Sequence, residues 1–198
     1  EEYARQESRP PSHAGRSYPA DPVELTRLLD GFYGREFGAT GIQSPRPANP
    51  RVRGVLSPHI DFQRGGHVYT WAYQLLADHP SVETVVILGV AHQPTRRRFT
   101  LTRKEFHTPL GVSRVDHDFL NHLVSRAGTD WFEDELAHRT EHSIEFQVVF
   151  LQHLWRSIRG ESSTPRIVPI LVGSFHDLLR SGRDPMEAPE VVRFIDAL

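Results

Sequence analysis

Cysteine is absent from the 198 residues, which excludes disulfides, thiol nucleophiles and cysteine-ligated zinc sites together. Lysine is nearly absent as well. Lys104 is the only one, and arginine supplies the other 22 of the 23 basic side chains, a bias that points to genomic base composition rather than to function. Charge of one sign is not in excess: the formal net charge is −2, so the composition carries no electrostatic footprint of a nucleic-acid binder. No apolar run approaches the roughly eighteen residues of a membrane-spanning helix. The charged-then-apolar opening of a secretory signal is also missing, and the expected compartment is the cytoplasm.

What is present fits one folded unit. A hydrophobic fraction of 38% with 24% charged residues suits a globular core and is too apolar for a disordered chain. A chain of this length supports one domain of ordinary size, or a larger one cut short. It begins at Glu1, its only methionine is Met186, and Val191 to Leu198 reads as a helix with no cap. We therefore expect a single domain over residues 1–198 that is trimmed at both ends.

Strand and helix patterns alternate along it. Asp21-Pro22-Val23-Glu24 supplies an N-cap, a proline at the first helical position and an acid three residues on; Leu25, Leu28, Leu29 and Phe32 follow at helical period. Gly34 to Pro50 reads as a loop. Val52 to Leu56, Thr84 to Leu88 and Ile167 to Val172 are unalternating runs rich in Val, Ile and Leu, the pattern of strands buried on both faces of a parallel sheet. Between the first two, Val68, Trp71, Ala72, Leu75 and Leu76 predict the apolar face of a helix. Phe99 to Arg103 and Val112 to Val115 flank Thr108-Pro109-Leu110-Gly111 and predict a hairpin-like excursion. Asp116 and Gly128 bracket another helix, and Thr140 is expected to cap a long buried one from Glu141 to about Ile158. The fold class is α/β, with a mostly parallel central sheet flanked by helices.

Two clusters carry chemistry. His59 and His92 each lie just beyond the carboxyl end of a predicted strand, where open α/β sheets build their ligand sites. Paired imidazoles there are a usual start for a metal centre; the plainer alternative is two loop histidines hydrogen-bonded to their neighbours. In His138-Arg139-Thr140-Glu141-His142-Ser143-Ile144-Glu145, His142 and Glu145 share one helix face. They can act as a general acid/base pair or orient a metal ligand from behind, or simply favour a helix start. Of the lesser features, His13-Ala14-Gly15 is a loop sequence without intrinsic specificity. Asp61 can bond an imidazole or cap a turn. Arg96-Arg97-Arg98 can hold an anion but reads more simply as a solvated basic loop, and Gly65-Gly66 lacks the rest of a phosphate loop.

Taken in order, Ser12-His13-Ala14-Gly15 with Tyr18-Pro19, Ser57-Pro58-His59, Leu88-Gly89-Val90-Ala91-His92, Thr108-Pro109-Leu110-Gly111 and Glu141-His142-Ser143-Ile144-Glu145 resemble the motifs of the MEMO family. In bacteria this family is also called AmmeMemoRadiSam system protein B. The likeness runs from about residue 10 to about residue 175. It implies a fold similar to the LigB-like class III extradiol dioxygenases, with Fe(II) or copper held by His59 and His92. It implies a third ligand, usually cysteine, in a carboxyl-terminal third beyond residue 198. By the same resemblance His142, Glu145 and His13 are the catalytic candidates, and Ile60-Asp61, standing where many members have Ala-Gly, adds a carboxylate to the pocket floor.

Two functions follow. One is a metal-dependent, dioxygenase-like oxidoreductase of unknown substrate. The other is a non-catalytic module that binds a peptide or small molecule. The resemblance also implies radical-SAM and AMMECR1-like partner proteins, with no nucleic acid and no membrane involved.

Overall fold

In the computed structural model, residues 2–34, 36–42, 51–128, 130–160 and 164–198 are described. A short helix α1 (Glu2–Arg5) and strand β1 (Ser8–Arg9) open the chain, followed by α2 (Pro22–Asp30) and α3 (Phe62–Ala77). Then come β2 (Thr84–Val90), β3 (Phe99–Leu101), β4 (Glu105–Thr108), β5 (Gly111–Ser113) and α4 (His117–Ala127). The long helix α5 (His142–Arg159), β6 (Arg166–Val172), α6 (His176–Arg180) and α7 (Pro189–Ala197) complete the order.

The class is α/β as the sequence implies, but the strands form two small mixed sheets. In one, β2 and β6 run parallel from Thr84 opposite Arg166 to Val90 opposite Val172, while β3 lies antiparallel on the other side of β6. In the other, β1 is parallel to β4, and β4 turns back antiparallel into β5.

Local chemistry explains the helix ends. Asp21 accepts from the amides of Val23 and Glu24, and Asp116 from Phe119, while Gly128 stops α4 in the left-handed region at φ 64°. Helix α5 is the centre of the core: Ile144, Phe146, Val148 to Leu151, Leu154 and Trp155 are all buried. Phe150 stacks on Tyr69 of α3 and meets Phe62 edge-on. Burial on this scale, at about 1.5–3 kcal/mol for each large apolar side chain, locks α5 in place and with it the residues at its amino end.

Five local expectations need correction. Val52 to Leu56 forms no ladder among the described residues, and Leu56 is 97% exposed; β-propensity alone does not create a pairing, and β2 keeps one side unpaired among the described residues. The hairpin's first strand is Glu105–Thr108, while Phe99–Leu101 pairs with β6 instead. Glu141 rather than Thr140 caps α5, accepting from the amides of His142 and Ser143. The buried face of α3 is Phe62, Gly66, Tyr69, Ala72 and Tyr73; of the expected stripe Ala72 is buried and Leu76 half-buried, whereas Val68, Trp71 and Leu75 are 44%, 54% and 45% exposed. The sheets are mixed rather than fully parallel, with one antiparallel pairing in each. Of the Gly34 to Pro50 loop, residue 35 and residues 43–50 lie outside the described residues.

Candidate metal centre

Three loops and one helix end converge. His59 precedes α3, whose cap Asp61 accepts from the Arg64 amide. His92 follows β2 by two residues, and His142 is the first residue of α5. The approach of β2 to α5 depends on Gly89, where a Cβ would fall 2.5 Å from Cγ1 of Ile144 and 2.7 Å from Oγ of Ser143. With no side chain at 89, the Ser143 hydroxyl donates to the Val90 carbonyl at 2.9 Å, tying the strand end to the helix start.

One donor atom from each of His59, His92 and His142 lies within 4.8 Å of the others. The rings of His92 and His142 stack at 4.7 Å between centroids, and His59 stands 5.1 and 5.7 Å from them. Three nitrogens on a tetrahedral ion with bonds of about 2.0–2.1 Å sit roughly 3.3 Å apart, so a short inward movement of the rings closes the site. His92, with its side chain 45% exposed, has the freedom to make that movement. The donor set fits a borderline metal such as zinc, copper, iron or nickel.

Glu141 sets the tautomer of His92. One oxygen lies 3.0 Å from Nδ1 of His92 and 3.2 Å from Nδ1 of His142, and the carboxylate also accepts the His92 amide at 2.9 Å. The hydrogen bond to Nδ1 of His92 leaves Nε2 of that ring as its lone-pair donor, a carboxylate–histidine pairing of the kind that raises ligand basicity. Burial alone would push the Glu141 carboxyl up, but the amides of His92 and Ser143 and the His92 ring hold it below the ordinary range. His142 is shifted down, chiefly by burial and with the neighbouring His92, His13 and His59 adding to it against the pull of Glu141. A neutral imidazole is the form that donates a lone pair.

Glu145 serves a different histidine from the one its spacing suggests. Its fully buried carboxylate takes Nη2 of Arg9 at 2.6 Å, the Ser12 hydroxyl at 2.8 Å, the His13 amide at 3.0 Å and the Tyr18 hydroxyl. Nδ1 of His13 lies 3.2 Å from the same carboxylate and 2.8 Å from the Ser12 hydroxyl. Burial would raise the Glu145 carboxyl, yet the Arg9 charge and the bonds from Tyr18, Arg9 and Ser12 hold it at about 2. His13 in turn stands edge-on to His142, 5.7 Å between centroids, and lines the same open cavity of about 630 Å³ as His59 and His142.

All five candidates from the sequence thus gather at one cleft: His59, His92 and His142 as a donor cluster, with His13 held beside them by Glu145. Two further residues hold the cleft together. Glu141 stands next to a histidine at a helix start, a legible signal for a capping carboxylate. Arg9 gives no such signal, being one arginine of 22, yet it is wholly buried and also donates to the carbonyls of His138 and Glu141. His138 is buried outside the cluster with Nε2 on the Thr100 carbonyl. Arg96 is paired with Glu133 at 2.7 Å, Arg97 with Glu133 at 3.4 Å and Arg98 with Asp177 at 2.6 Å, so none of the three is a free anion clamp.

An α/β fold that brings three imidazoles and a buried capping carboxylate to a strand-end cleft defines a class of protein able to hold a metal ion. The particular family follows from comparison: the model of the Memo-like protein family matches residues 9–179, and the chain belongs to that family. It is similar to a MEMO1 family protein of Methanopyrus kandleri, 37% identical over 182 residues, which cover 91% of this chain and 61% of that protein. MEMO1 family proteins of Ignicoccus hospitalis and Aquifex aeolicus are 34% and 32% identical over 83% and 76% of the chain. Those matches span 56% and 37% of the two relatives, so the chain covers less than two thirds of the length of all three.

Proposed function

We propose that this chain provides the metal-binding cleft of an iron- or copper-dependent oxidoreductase acting on a small oxygen-donor ligand. The observation that carries the reading is the placing of three imidazole donors within 4.8 Å of one another with two of their rings turned by one buried carboxylate. His59, His92 and His142 would hold the ion, through Nε2 in the case of His92. A bound iron or copper ion supplies Lewis acidity, redox chemistry and coordination positions that three protein donors leave open.

The remaining residues have separable tasks. Glu141 orients two of the donors. Glu145, with Arg9 and Tyr18, holds Nδ1 of His13, so that Nε2 of His13 is the atom placed to give or take a ligand proton at the cavity. Ser12 completes that bracket.

The test is anaerobic calorimetry of Fe(II) and Cu(I) with the wild-type chain and with His59→Ala, His92→Ala and His142→Ala. Stoichiometric binding that each variant weakens at least tenfold is the expected result. Binding indifferent to all three substitutions rejects the centre and leaves the cleft as a site for a ligand held without metal.

A further inference from the structure

The three donors are not held in the same way. His92 is turned by Glu141 at 3.0 Å and follows a strand paired along its whole length with β6. His142 rides on α5 itself. His59 has neither support. Val52 to Leu56, the run that leads to it, forms no ladder among the described residues. Among those residues no hydrogen bond holds its ring either, which meets only the rings of His92 and His142.

The loop is fixed instead through the two carbonyls that flank His59. Nε2 of Gln147 donates to the Pro58 carbonyl at 2.8 Å, and the Tyr69 hydroxyl donates to the Ile60 carbonyl at 2.7 Å. Both pegs are themselves anchored. The Tyr73 hydroxyl reaches the Gln147 carbonyl at 2.8 Å and its Oε1 at 3.0 Å; since the Pro58 carbonyl can only accept, the amide has one orientation that satisfies both ends. Tyr69 is fully buried and stacks on Phe150 with 4.6 Å between ring centroids. Burial pushes the phenols of Tyr69 and Tyr73 up, so each keeps the proton it donates. Along α5, Ser143 and Gln147 are four residues apart on one helix face. Ser143 donates to the carbonyl of Val90, shortly before His92, and Gln147 to that of Pro58, immediately before His59. One helix therefore carries one donor and grips the approaches to the other two.

We infer that Gln147 and Tyr69 are the positioning residues for His59, and that the cluster holds an ion through three nitrogens only while both flanking carbonyls are pegged. They act through the backbone of His59 and not on the ion. This deepens the proposed function and rests on reading the histidine cluster as a metal centre.

The experiment removes each peg with little change of shape. Gln147→Met loses the amide and keeps the length of the side chain, and Tyr69→Phe loses only a hydroxyl; either one suffices if a melting curve shows the other to be unfolded. Zn(II) is titrated into the full chain against a chromophoric chelator, for the wild type, for each variant, and for each variant combined with His59→Ala or His92→Ala. Each peg variant is expected to weaken Zn(II) about tenfold in the wild-type and His92→Ala backgrounds. In His59→Ala, where the donor it serves is gone, the further loss is expected to stay within about twofold. A general loss of stability would be felt in both backgrounds alike. Electron paramagnetic resonance of the Cu(II)-loaded protein is expected to count three imidazole nitrogens in the wild type and two in either variant. Unchanged affinity, an equal loss in His59→Ala, or three nitrogens in the variants overturns the inference. In the metal-free chain each variant is expected to move the ring-proton magnetic resonance signals of His59 and to leave those of His92 in place. Failure of Zn(II) to bind the wild type, with that selective shift intact, rejects the metal centre and leaves the positioning of His59 standing; without the shift, the positioning is overturned as well.

Discussion

A single carboxylate oxygen between two imidazoles is an arrangement that substitution dissects cleanly. Glu141→Gln keeps acceptors for the amides of His142 and Ser143 but loses the charge that holds the two rings. Metal affinity is expected to fall about 10–100-fold with little change in thermal midpoint, read by calorimetry beside a melting curve. Glu145 behaves differently because its partner is a buried arginine. Removing the charge in Glu145→Gln leaves Arg9 uncompensated, at a cost of about 3–5 kcal/mol, measurable by urea unfolding. The same residues set the acid limb of stability. Burial lowers His138 to about 3, so between about pH 6.5 and 3 the unfolded chain takes up a proton that the folded chain refuses, and stability falls as pH falls through that window. Glu145, held at about 2, adds a second loss on the order of 3 kcal/mol as pH drops from about 4.3 toward 2. Unfolding free energies from pH 7 to 3 are expected to decline in both stages, with the first stage shallower in His138→Gln; a flat profile from pH 7 to 5 contradicts the buried neutral histidine.

At the level of elements, the junction of β2 with α5 is where sequence and chemistry meet. Adding one methyl in Gly89→Ala forces the strand end away from Ile144 and Ser143, costing about 1–3 kcal/mol by overpacking. It should also lower metal affinity, because His92 and His142 ride on the two separated elements. Gly66→Ala is a control on the same principle, since its Cβ would meet the Phe32 ring at 2.4 Å rather than either element that carries His92 and His142; it should destabilise with little change in affinity. How much of this was legible from residues alone differs by element. The caps Asp21 and Asp116 could be read because capping is a local matter of side chain and following amide, whereas Asp61 stayed open between an imidazole partner and a turn cap. Thr84 to Leu88 and Ile167 to Val172 could be read as parallel strands because unalternating branched runs have few other uses, but not that one face of β2 is left exposed. The face of α3 could not, since period marks which residues share a side and not which side is buried: Val68, Trp71 and Leu75 form as good a stripe as Tyr69 and Tyr73. At the site, strand-end placement marked His59 and His92, whereas the partner of Glu145 was misjudged because spacing along one helix says nothing about β1 and the Ser12-His13 turn arriving from elsewhere in the chain.

Over the whole molecule, apolar surface is distributed unevenly. Val68, Trp71 and Leu75 on α3 and Val86, Leu88 and Val90 along β2 are exposed, and among the described residues β2 pairs on one side only. An edge of this kind is a template for further pairing. The chain is expected to self-associate at micromolar concentration, and Leu88→Lys should reduce that association severalfold in light scattering while leaving metal affinity within about twofold. No helix among the described residues is long and apolar enough to cross a membrane. Membership of the Memo-like family is fixed by the match over residues 9–179, while the activity of the longer relatives stays with the experiments set out above.

The double duty of Glu141 makes the centre a gauge of its own scaffold. The atoms that begin α5 are the atoms that aim His92, so the helix cannot fray at its first turn without swinging a donor away, and a seated ion cannot leave without loosening that turn. Occupancy and local order are therefore one equilibrium seen from two sides. Amide hydrogens of residues 142–145 should exchange more slowly in the loaded protein by the same factor that the ion gains from an intact helix start.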